Sequence, residues 1–515
     1  MTAPDPRHRE KVVVVGAGMV GHRFVEELVR RDTRGRFAVE LVGDEEYEPY
    51  NRILLSDVLA GRADLRSISL PLPAPEQVRF WRGVSAVAID RTAGSLQLSD
   101  GTSRSFDRLV LATGARAFVP PLRGLEEQPR HVHVLRTLDD CRNIAARAIN
   151  ARRAVVLGGG VLGLEAACGL TRRGVPVTVV DLDAHVMATQ LDAPAAGVLG
   201  ARLGDLGVEV VTGTSVAEVV SARGDCVGVR LTDGQVLPAD LLLVSCGVRA
   251  NTGLARDAGL EVDRGVVVDA ALATVDPRVH AIGDCAQAPG DTAGLLAPGW
   301  RQAERLAALL VGAAPRPVEP AATEPVRLKA VGVDLVTMGV RASAALPTDR
   351  VVTVGDHGGR RYVDLVVRRD ATGADALVGV TCLGAPEVAA SLSVAFDRRT
   401  PLPVDPLSLL LPPGRAEESA SPVRMPGTTT VCRCNGVSKK DIVSAWEAGA
   451  ETVEAVAAAT RATTGCGGCA QVVCGLVDWL AASDPETPFT EAAVPPGGGR
   501  STVVTRRNTT APSTS

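Results

Sequence analysis

The sequence predicts an α/β protein with two doubly wound units, followed by an α+β domain and a small helical domain. Three observations predict it. The chain repeats itself once: KVVVVGAGMVGHRFVEEL opens near residue 11 and RAVVLGGGVLGLEAACGL near residue 153. Each reads as a β-branched apolar strand, a Gly-rich turn and a helix with apolar spacing. From 323 to 400 the chain turns strand-rich, in RLKAVGVDLVTMGV, RYVDLVVRRD and ALVGVTCLG. Between 431 and 480, four cysteines fall in two pairs around a helix-prone stretch, DIVSAWEAGAETVEAVAAAT.

The 515 residues are too many for one core. At roughly 150 residues per domain, three or four domains are expected. A hydrophobic content of 46% and a charged content of 22% are those of a soluble globular protein. Aromatic residues are only 3%, so the cores must rest on Val, Leu and Ala. The net charge of −4 offers no basic footprint, so no nucleic acid partner is expected. No apolar run reaches the 18 or so residues that span a bilayer, and the N-terminus lacks a signal-peptide pattern. The expectation is a cytoplasmic protein without membrane contact. Eleven cysteines in such a chain argue for metal or redox use of some of them, not for disulfides.

Gly16, Gly18 and Gly21 form G-x-G-x-x-G between a strand and a helix. The first glycine permits the tight turn, the second lets backbone approach a pyrophosphate, and the third lets helix and strand pack closely. The helix start then offers free N–H groups and the positive end of its dipole to phosphates. An acidic residue is expected at the end of the following strand to bind ribose hydroxyls, and VELVGDEE supplies Asp44, with Glu45 as the alternative. Gly158, Gly160 and Gly163 form the second fingerprint, and its second strand ends in Asp181. A carboxylate there accepts from a 2′-OH and repels a 2′-phosphate; no arginine follows, so NADH is favoured over NADPH. One such motif alone is weak. Two copies in strand–turn–helix context, each with a downstream carboxylate, point to two Rossmann-like dinucleotide sites.

Taken together, VVVVGAGMVG, LVLATGA, VVLGGGVLGLEAA, LLLVSCGVRANTGL and VHAIGDCA resemble the two-dinucleotide-binding-domain flavoproteins. EPYNRILLSDVLAG, MATQLD, GLLAPGWRQAERLA and RLKAVGVDL resemble the flavoprotein part of bacterial assimilatory nitrite reductase and the electron-transfer subunit of assimilatory nitrate reductase. The resemblance implies an FAD-binding domain at 8–121 and 250–317, an NADH-binding domain at 122–249, and an α+β interface domain at 318–410. That last domain is expected to pack on the flavin domain or to form a homodimer contact. A Pro- and Ser-rich linker at 411–427, a cluster domain at 428–480 and a disordered tail at 481–515 complete the chain. By resemblance, Thr113 and Gly114 pass beside FAD, Gly247 lines the cofactor crevice, and Gly283 precedes Asp284, which bonds the ribityl chain or simply caps a helix. Arg52 is placed near the isoalloxazine, or else pairs with nearby acidic residues at the surface. Glu165 is placed near the nicotinamide, or is simply a good helix former. Pro298 and Gly299 suit a helix start aimed at the flavin pyrimidine. No C-x4-C pair follows the first fingerprint, which argues against the disulfide-reductase branch.

Cys432 and Cys434 form C-x-C, and Cys466 and Cys469 form C-x2-C. Four thiolates make a closed site for a soft metal. The segment resembles the bacterioferritin-associated-ferredoxin-like [2Fe–2S] domain. Zinc, which usually takes C-x2–4-C at both ends, and unliganded structural cysteines are the alternatives. Cys474 is expected in a helix core, with an adventitious ligand as the alternative. Cys141, Cys168, Cys226, Cys246, Cys285 and Cys382 read as packing residues. His131 and His133 alternate on a strand without a third ligand.

The expected function is an NADH-dependent FAD oxidoreductase passing electrons to a [2Fe–2S] cluster and then to a partner, the nitrate reductase catalytic subunit or a sirohaem nitrite reductase. The C-x5-C plus C-x3-C pattern of a sirohaem half does not occur in these residues, so they are not expected to reduce nitrite themselves. A rubredoxin- or ferredoxin-type reductase of another pathway and a redox-sensing iron–sulfur flavoprotein are the other readings.

Overall fold

The computed structural model describes residues 9–289, 294, 296–314, 325–369, 373–398, 402–403, 405–410, 425–432, 435–465 and 468–483. The chain forms two compact units, Met1–Ser419 with Thr463–Gly467, and Ala420–Ala462 with Gly468–Ser515. Among the described residues no helix is long and apolar enough to cross a membrane.

In the larger unit, the first sheet is parallel throughout. Its order is Val279–Ala281, Arg108–Leu111, Glu10–Val15, Phe37–Gly43, Val78–Arg82. Helices cover both faces of such a sheet, so its strands can be apolar at every position. Val12, Val13, Val14 and Val15 meet that description, at 0–6% exposure. The helices Met19–Arg31 and Leu296–Leu310 share this core through Phe24, Leu28, Ala303, Leu306 and Ala307. A strand from residue 279 thus completes a sheet begun at residue 10. The intervening chain builds a second parallel sheet, ordered Val208–Val211, Val177–Val180, Ala154–Leu157, Leu241–Val244, Val132–Val134. In both sheets the strand before the Gly-rich turn is central, so the turn opens where strand order reverses, the usual ligand crevice of an open α/β sheet.

The third sheet is antiparallel, ordered Val326–Leu328, Leu335–Gly339, Asp375–Leu383, Arg361–Arg369, Arg350–Asp356. Helix Pro386–Arg398 packs on one face. The other side contributes Leu328, Leu335, Tyr362 and Leu383 to a core shared with helices Val161–Arg172 and Ala193–Asp205. Polar ties run the same way: the Arg360 guanidinium holds Asp205 at 2.8 Å, and the Ser343 N–H donates to Asp192 at 2.8 Å. This sheet therefore leans chiefly on the second α/β lobe, and touches the first through residues 53–62. The strand-rich composition of this stretch does not say which neighbour the sheet would pack on.

His280 sits on the strand Val279–Ala281 and is 6% exposed. Burial, with the Arg108 charge adding to it, pushes its pKa down to about 4. In an unfolded chain the value is about 6.5, so between these limits the unfolded state binds more protons. Stability should be complete above about pH 6.5 and fall as pH drops toward 4, by roughly 3 kcal/mol once the group is charged only in the unfolded state. His280→Leu should flatten the urea midpoint against pH across that window; an unchanged slope would refute the assignment.

In the smaller unit, a short hairpin (Thr430–Cys432 with Val437–Ser438) leads into helices Lys439–Glu447, Val453–Thr460 and Ala470–Ser483. Ser438 caps the first in a reciprocal capping box with Asp441. Cys432, Ile442, Trp446, Val456, Cys469, Val473 and Leu476 form its core. Cys474 is exposed, contrary to the expectation of a core position, because the apolar side of its helix runs through Val473, Leu476, Val477 and Leu480 instead. Most of the expected linker (411–424) and the tail beyond 483 lie outside the described residues.

Candidate functional site

The two Gly-rich turns have nearly the same geometry. Gly16 has φ +112°, and a Cβ there would lie 2.2 Å from the Ala112 carbonyl oxygen. Gly158 has φ +110°, and its Cβ would lie 2.3 Å from Ser245 O. A Cβ on Gly21 would stand 1.9 Å from Gly16 O, and one on Gly163 would stand 2.0 Å from Gly158 O. These four glycines exist because backbone occupies the space a side chain would need. The middle glycines differ. Gly160 faces nothing within 4 Å, and Gly18 faces only Arg52 Nε at 3.9 Å. Gly18 and Gly160 are also the N-caps of the helices Met19–Arg31 and Val161–Arg172, without a side-chain cap and without an acidic residue in the first turn. Their N–H groups and dipole ends are left for an anion, so both turns fit a dinucleotide pyrophosphate.

Asp181 follows the strand Val177–Val180 and folds back over the second turn. It accepts from the Gly159 N–H and from the Asp183 N–H at 2.9 Å. In the first lobe the strand Phe37–Gly43 ends just before Asp44, which is exposed. Glu45 is committed elsewhere: it is ion-paired with Arg52 and accepts from the Tyr50 hydroxyl at 2.6 Å. Of the two expected ribose carboxylates, Asp44 is the one left open. Burial, with Glu45 as hydrogen-bond partner, holds the Tyr50 hydroxyl protonated well above its ordinary range.

Thr113 and Gly114 are tied to the chain where it returns from the second lobe. The Thr113 hydroxyl donates to Asn251 O, and the Asn251 amide donates to Thr113 O, both at 2.8 Å. Gly247 (φ +91°) and Gly114 (φ +65°) have open space where a Cβ would be. Gly283 donates its N–H to Gln302 at 2.7 Å, and Val20 fills the space over Gly283 and Gly299. That close approach packs the start of helix Leu296–Leu310, with Pro298 and Gly299 in its first turn, against the fingerprint helix.

Asp284 meets a residue the motif reading missed. Arg136 Nη2 donates to Asp284 Oδ2 at 2.8 Å, and Arg136 Nε donates to Ala115 O at 3.0 Å. Arg52 Nη1 in turn donates to Arg136 O at 3.5 Å. Two ion pairs, Glu45–Arg52 and Arg136–Asp284, are thus joined through the Arg136 carbonyl. The local signal for Arg136 was its place before Thr137 and Asp140, which form a capping box on helix Leu138–Ala148.

Glu165 is 5% exposed and lies among three segments. It accepts from Ser56 Oγ at 2.5 Å and from the Lys329 N–H at 3.0 Å, with Lys329 Nζ at 3.7 Å. It is a held carboxylate and not merely a helix former. Lys329, one of only four lysines in the chain, also donates from Nζ to Ile53 O at 2.6 Å. Ser56 lies in EPYNRILLSDVLAG and Lys329 in RLKAVGVDL, but nothing in either segment marks them as partners of Glu165.

In the smaller unit, Cys432 and Cys469 are buried, at 2% and 8% exposure, and not joined to each other. Cys434 and Cys466 lie outside the described residues. The Cys469 carbonyl accepts from the Val473 N–H at 2.9 Å, so this cysteine opens helix Ala470–Ser483. A helix N-terminus favours a thiolate. The Asn435 amide donates to Cys432 Sγ at 3.7 Å. A donor on the Cys432 sulfur and a helix start at Cys469 suit metal-ligating thiolates. Elsewhere burial keeps the cysteines as thiols: Cys141, Cys168, Cys246 and Cys382 are pushed up to about 11, and Cys226 and Cys285 are raised for the same reason. Cys246 is half-buried; the other five are buried. His131 precedes the strand Val132–Val134 with φ +72° and pairs with Asp225 at 3.2 Å, and burial lowers the pKa of His133. Among the described residues no group of three or more potential ligands is placed to hold a metal ion.

Comparison with known proteins agrees with this geometry. Residues 10–305 match the family described as pyridine nucleotide-disulphide oxidoreductase, and residues 430–478 match the BFD-like [2Fe-2S] binding domain. The chain is 37% identical over 472 residues to the nitrite reductase [NAD(P)H] large subunit of Klebsiella oxytoca, covering 90% of this chain and 48% of that one. It is 30% identical over 487 residues to the assimilatory nitrate reductase electron transfer subunit of Bacillus subtilis (strain 168), covering 93% and 61%. It thus spans about half to three-fifths of the length of these relatives. Among solved structures, the covalent putidaredoxin reductase–putidaredoxin complex aligns with a TM-score of 0.67 at 29% identity, over 78% of this chain and 95% of that one. The likeness to nitrite reductase flavoprotein and nitrate reductase electron-transfer subunits, read first from short motifs, therefore extends over most of the sequence. The matched domains imply FAD, NADH and a [2Fe–2S] cluster as the cofactors. With more than half of its length matched, this chain belongs to the pyridine nucleotide-disulphide oxidoreductase family.

Proposed function

We infer that this chain is an NADH-dependent flavin oxidoreductase that hands electrons to a partner nitrate or nitrite reductase of nitrogen assimilation, in the cytoplasm. The observation that carries the reading is the combination, in one chain, of two pyrophosphate-ready turns with a separate BFD-like [2Fe-2S] binding segment. FAD accepts the electron pair of a hydride and can release electrons singly, and a [2Fe–2S] cluster takes one at a time, so the three groups make a compatible series when bound.

The residues divide the work as follows. Residues 8–121 and 250–317 would hold FAD. Gly16, Gly18 and Gly21 would seat its pyrophosphate, Asp44 its ribose hydroxyls, and Thr113, Gly114, Gly283 and Asp284 its remaining length. Arg136 would orient Asp284, and Arg52 would sit over the Gly18 turn with Glu45 as its counter-charge. Residues 122–249 would hold NADH, through Gly158, Gly160, Gly163, Gly247 and Asp181. Glu165, held by Ser56 and Lys329, would position the nicotinamide end. Cys432, Cys434, Cys466 and Cys469 would be the cluster ligands. Residues 318–410 would brace the second lobe, and 411–427 would link them to the cluster domain. The names of the relatives, a nitrite reductase large subunit and a nitrate reductase electron transfer subunit, support the choice of partner.

The test is direct. The purified chain should carry flavin, NADH should bleach it, and a reconstituted chain should then reduce a nitrate or nitrite reductase catalytic subunit. Protein without flavin would overturn the reading. A reductase serving a small iron–sulfur protein of another pathway is the second reading, favoured by the likeness to putidaredoxin reductase. Faster transfer to such a protein than to either nitrogen-oxide reductase would establish it.

Asp181 supplies a separate prediction. Losing a hydrogen bond to a charged acceptor costs about 1.5 kcal/mol or more, roughly tenfold in affinity. Asp181→Ala should raise the KM for NADH by about that factor and raise kcat/KM for NADPH. Steady-state kinetics with both nucleotides decides, and an unchanged preference would remove Asp181 from the ribose site.

A further inference from the structure

Asn435 makes two contacts that join otherwise separate parts of the smaller unit. Its amide nitrogen donates to Cys432 Sγ at 3.7 Å and to the Arg461 carbonyl at 2.6 Å. A primary amide carries two N–H bonds, so one group can serve both acceptors. Cys432 ends the strand of the first hairpin, and it is 2% exposed. Arg461 closes helix Val453–Thr460 in a left-handed conformation, φ +63°. The chain turns there into the segment bearing the second cysteine pair. Asn435 therefore ties Cys432 to the end of helix Val453–Thr460, with a proton directed at a ligand-type sulfur.

We propose that Asn435 is a positioning residue of the iron–sulfur site, fixing Cys432 against the end of helix Val453–Thr460 and, through its bond to Cys432 Sγ, raising the reduction potential of the bound cluster. The proposal rests on the [2Fe–2S] reading of the four cysteines. A hydrogen bond to a ligand thiolate withdraws charge from sulfur and favours the state carrying one more electron; such bonds are among the controls on cluster potential. The bond exists in both redox states and only its strengthening on reduction counts, so its loss should shift the one-electron reduction equilibrium by up to roughly tenfold. That factor corresponds to about 59 mV for a single electron.

The experiment is a redox titration of the full chain, wild type, Asn435→Ala and Asn435→Gln, followed by visible and EPR spectra of the reduced cluster. Asn435→Ala should move the midpoint to more negative potential by up to about that amount while iron and sulfide content stay at the wild-type level. Asn435→Gln, which keeps a donor on a longer arm, should lie between the two. A clustered Asn435→Ala chain with the wild-type midpoint overturns the proposal. If Asn435→Ala fails to retain the cluster, the Gln variant decides alone: a midpoint equal to wild type overturns the proposal, and a negative shift supports it. A wild-type chain that shows no [2Fe–2S] spectrum after reconstitution instead overturns the reading on which the proposal stands.

Discussion

Cys432→Ala should abolish NADH-dependent reduction of a protein acceptor and leave NADH–ferricyanide turnover at the wild-type rate. The sulfur is buried in the core of the smaller unit and receives the Asn435 amide. Removing one of four thiolates opens a site that needs all four to close. The nucleotide turns lie in the other compact unit. The two activities should therefore separate cleanly. Paired assays on one preparation, with iron analysis and flavin content, measure this. Parallel loss of both activities would show that the smaller unit supports the flavin lobe itself, and would overturn the division of labour proposed above.

Gly21→Ala should have the largest effect on the folded state. The added Cβ would lie 1.9 Å from the Gly16 carbonyl oxygen and 3.2 Å from its carbonyl carbon. Those atoms belong to the turn after the buried strand Glu10–Val15, whose neighbours on both sides are paired in register. A flexible side chain could move aside, but this backbone cannot without breaking the sheet edge of the crevice. Overpacking of a core costs about 1–3 kcal/mol, occasionally more, and this site belongs at the upper end. For a lobe of 150–250 residues, such a loss lowers the unfolding midpoint by roughly 10 °C. The helix Met19–Arg31 would also be driven off the turn, so flavin retention should fail. Scanning calorimetry with flavin analysis checks both. Gly163→Ala, with its 2.0 Å approach to Gly158 O, should do the same to nucleotide binding in the second lobe. Wild-type midpoints in both variants would contradict the packing role assigned to the third glycine.

The sequence by itself determined the two α/β lobes, their Gly-rich turns, the strand-rich third sheet and the four-cysteine segment. Each of these is local: alternation, a run of valines or a glycine spacing is written in neighbouring residues, because strand and helix periods act over a few positions. Asp181 was legible for the same reason, as it ends the strand that follows the second fingerprint. Tertiary structure alone decided which charges meet. Arg136 and Asp284 are 148 residues apart, and Lys329 and Glu165 are 164 apart. No periodicity encodes such a pair, because it exists only once three segments pack together. The same packing paired Glu45 with Arg52 and Tyr50, seated one face of the third sheet on the second lobe, and left Cys474 at the surface. Burial and partner choice are set by the sum of long-range contacts, and that sum is what a motif cannot contain.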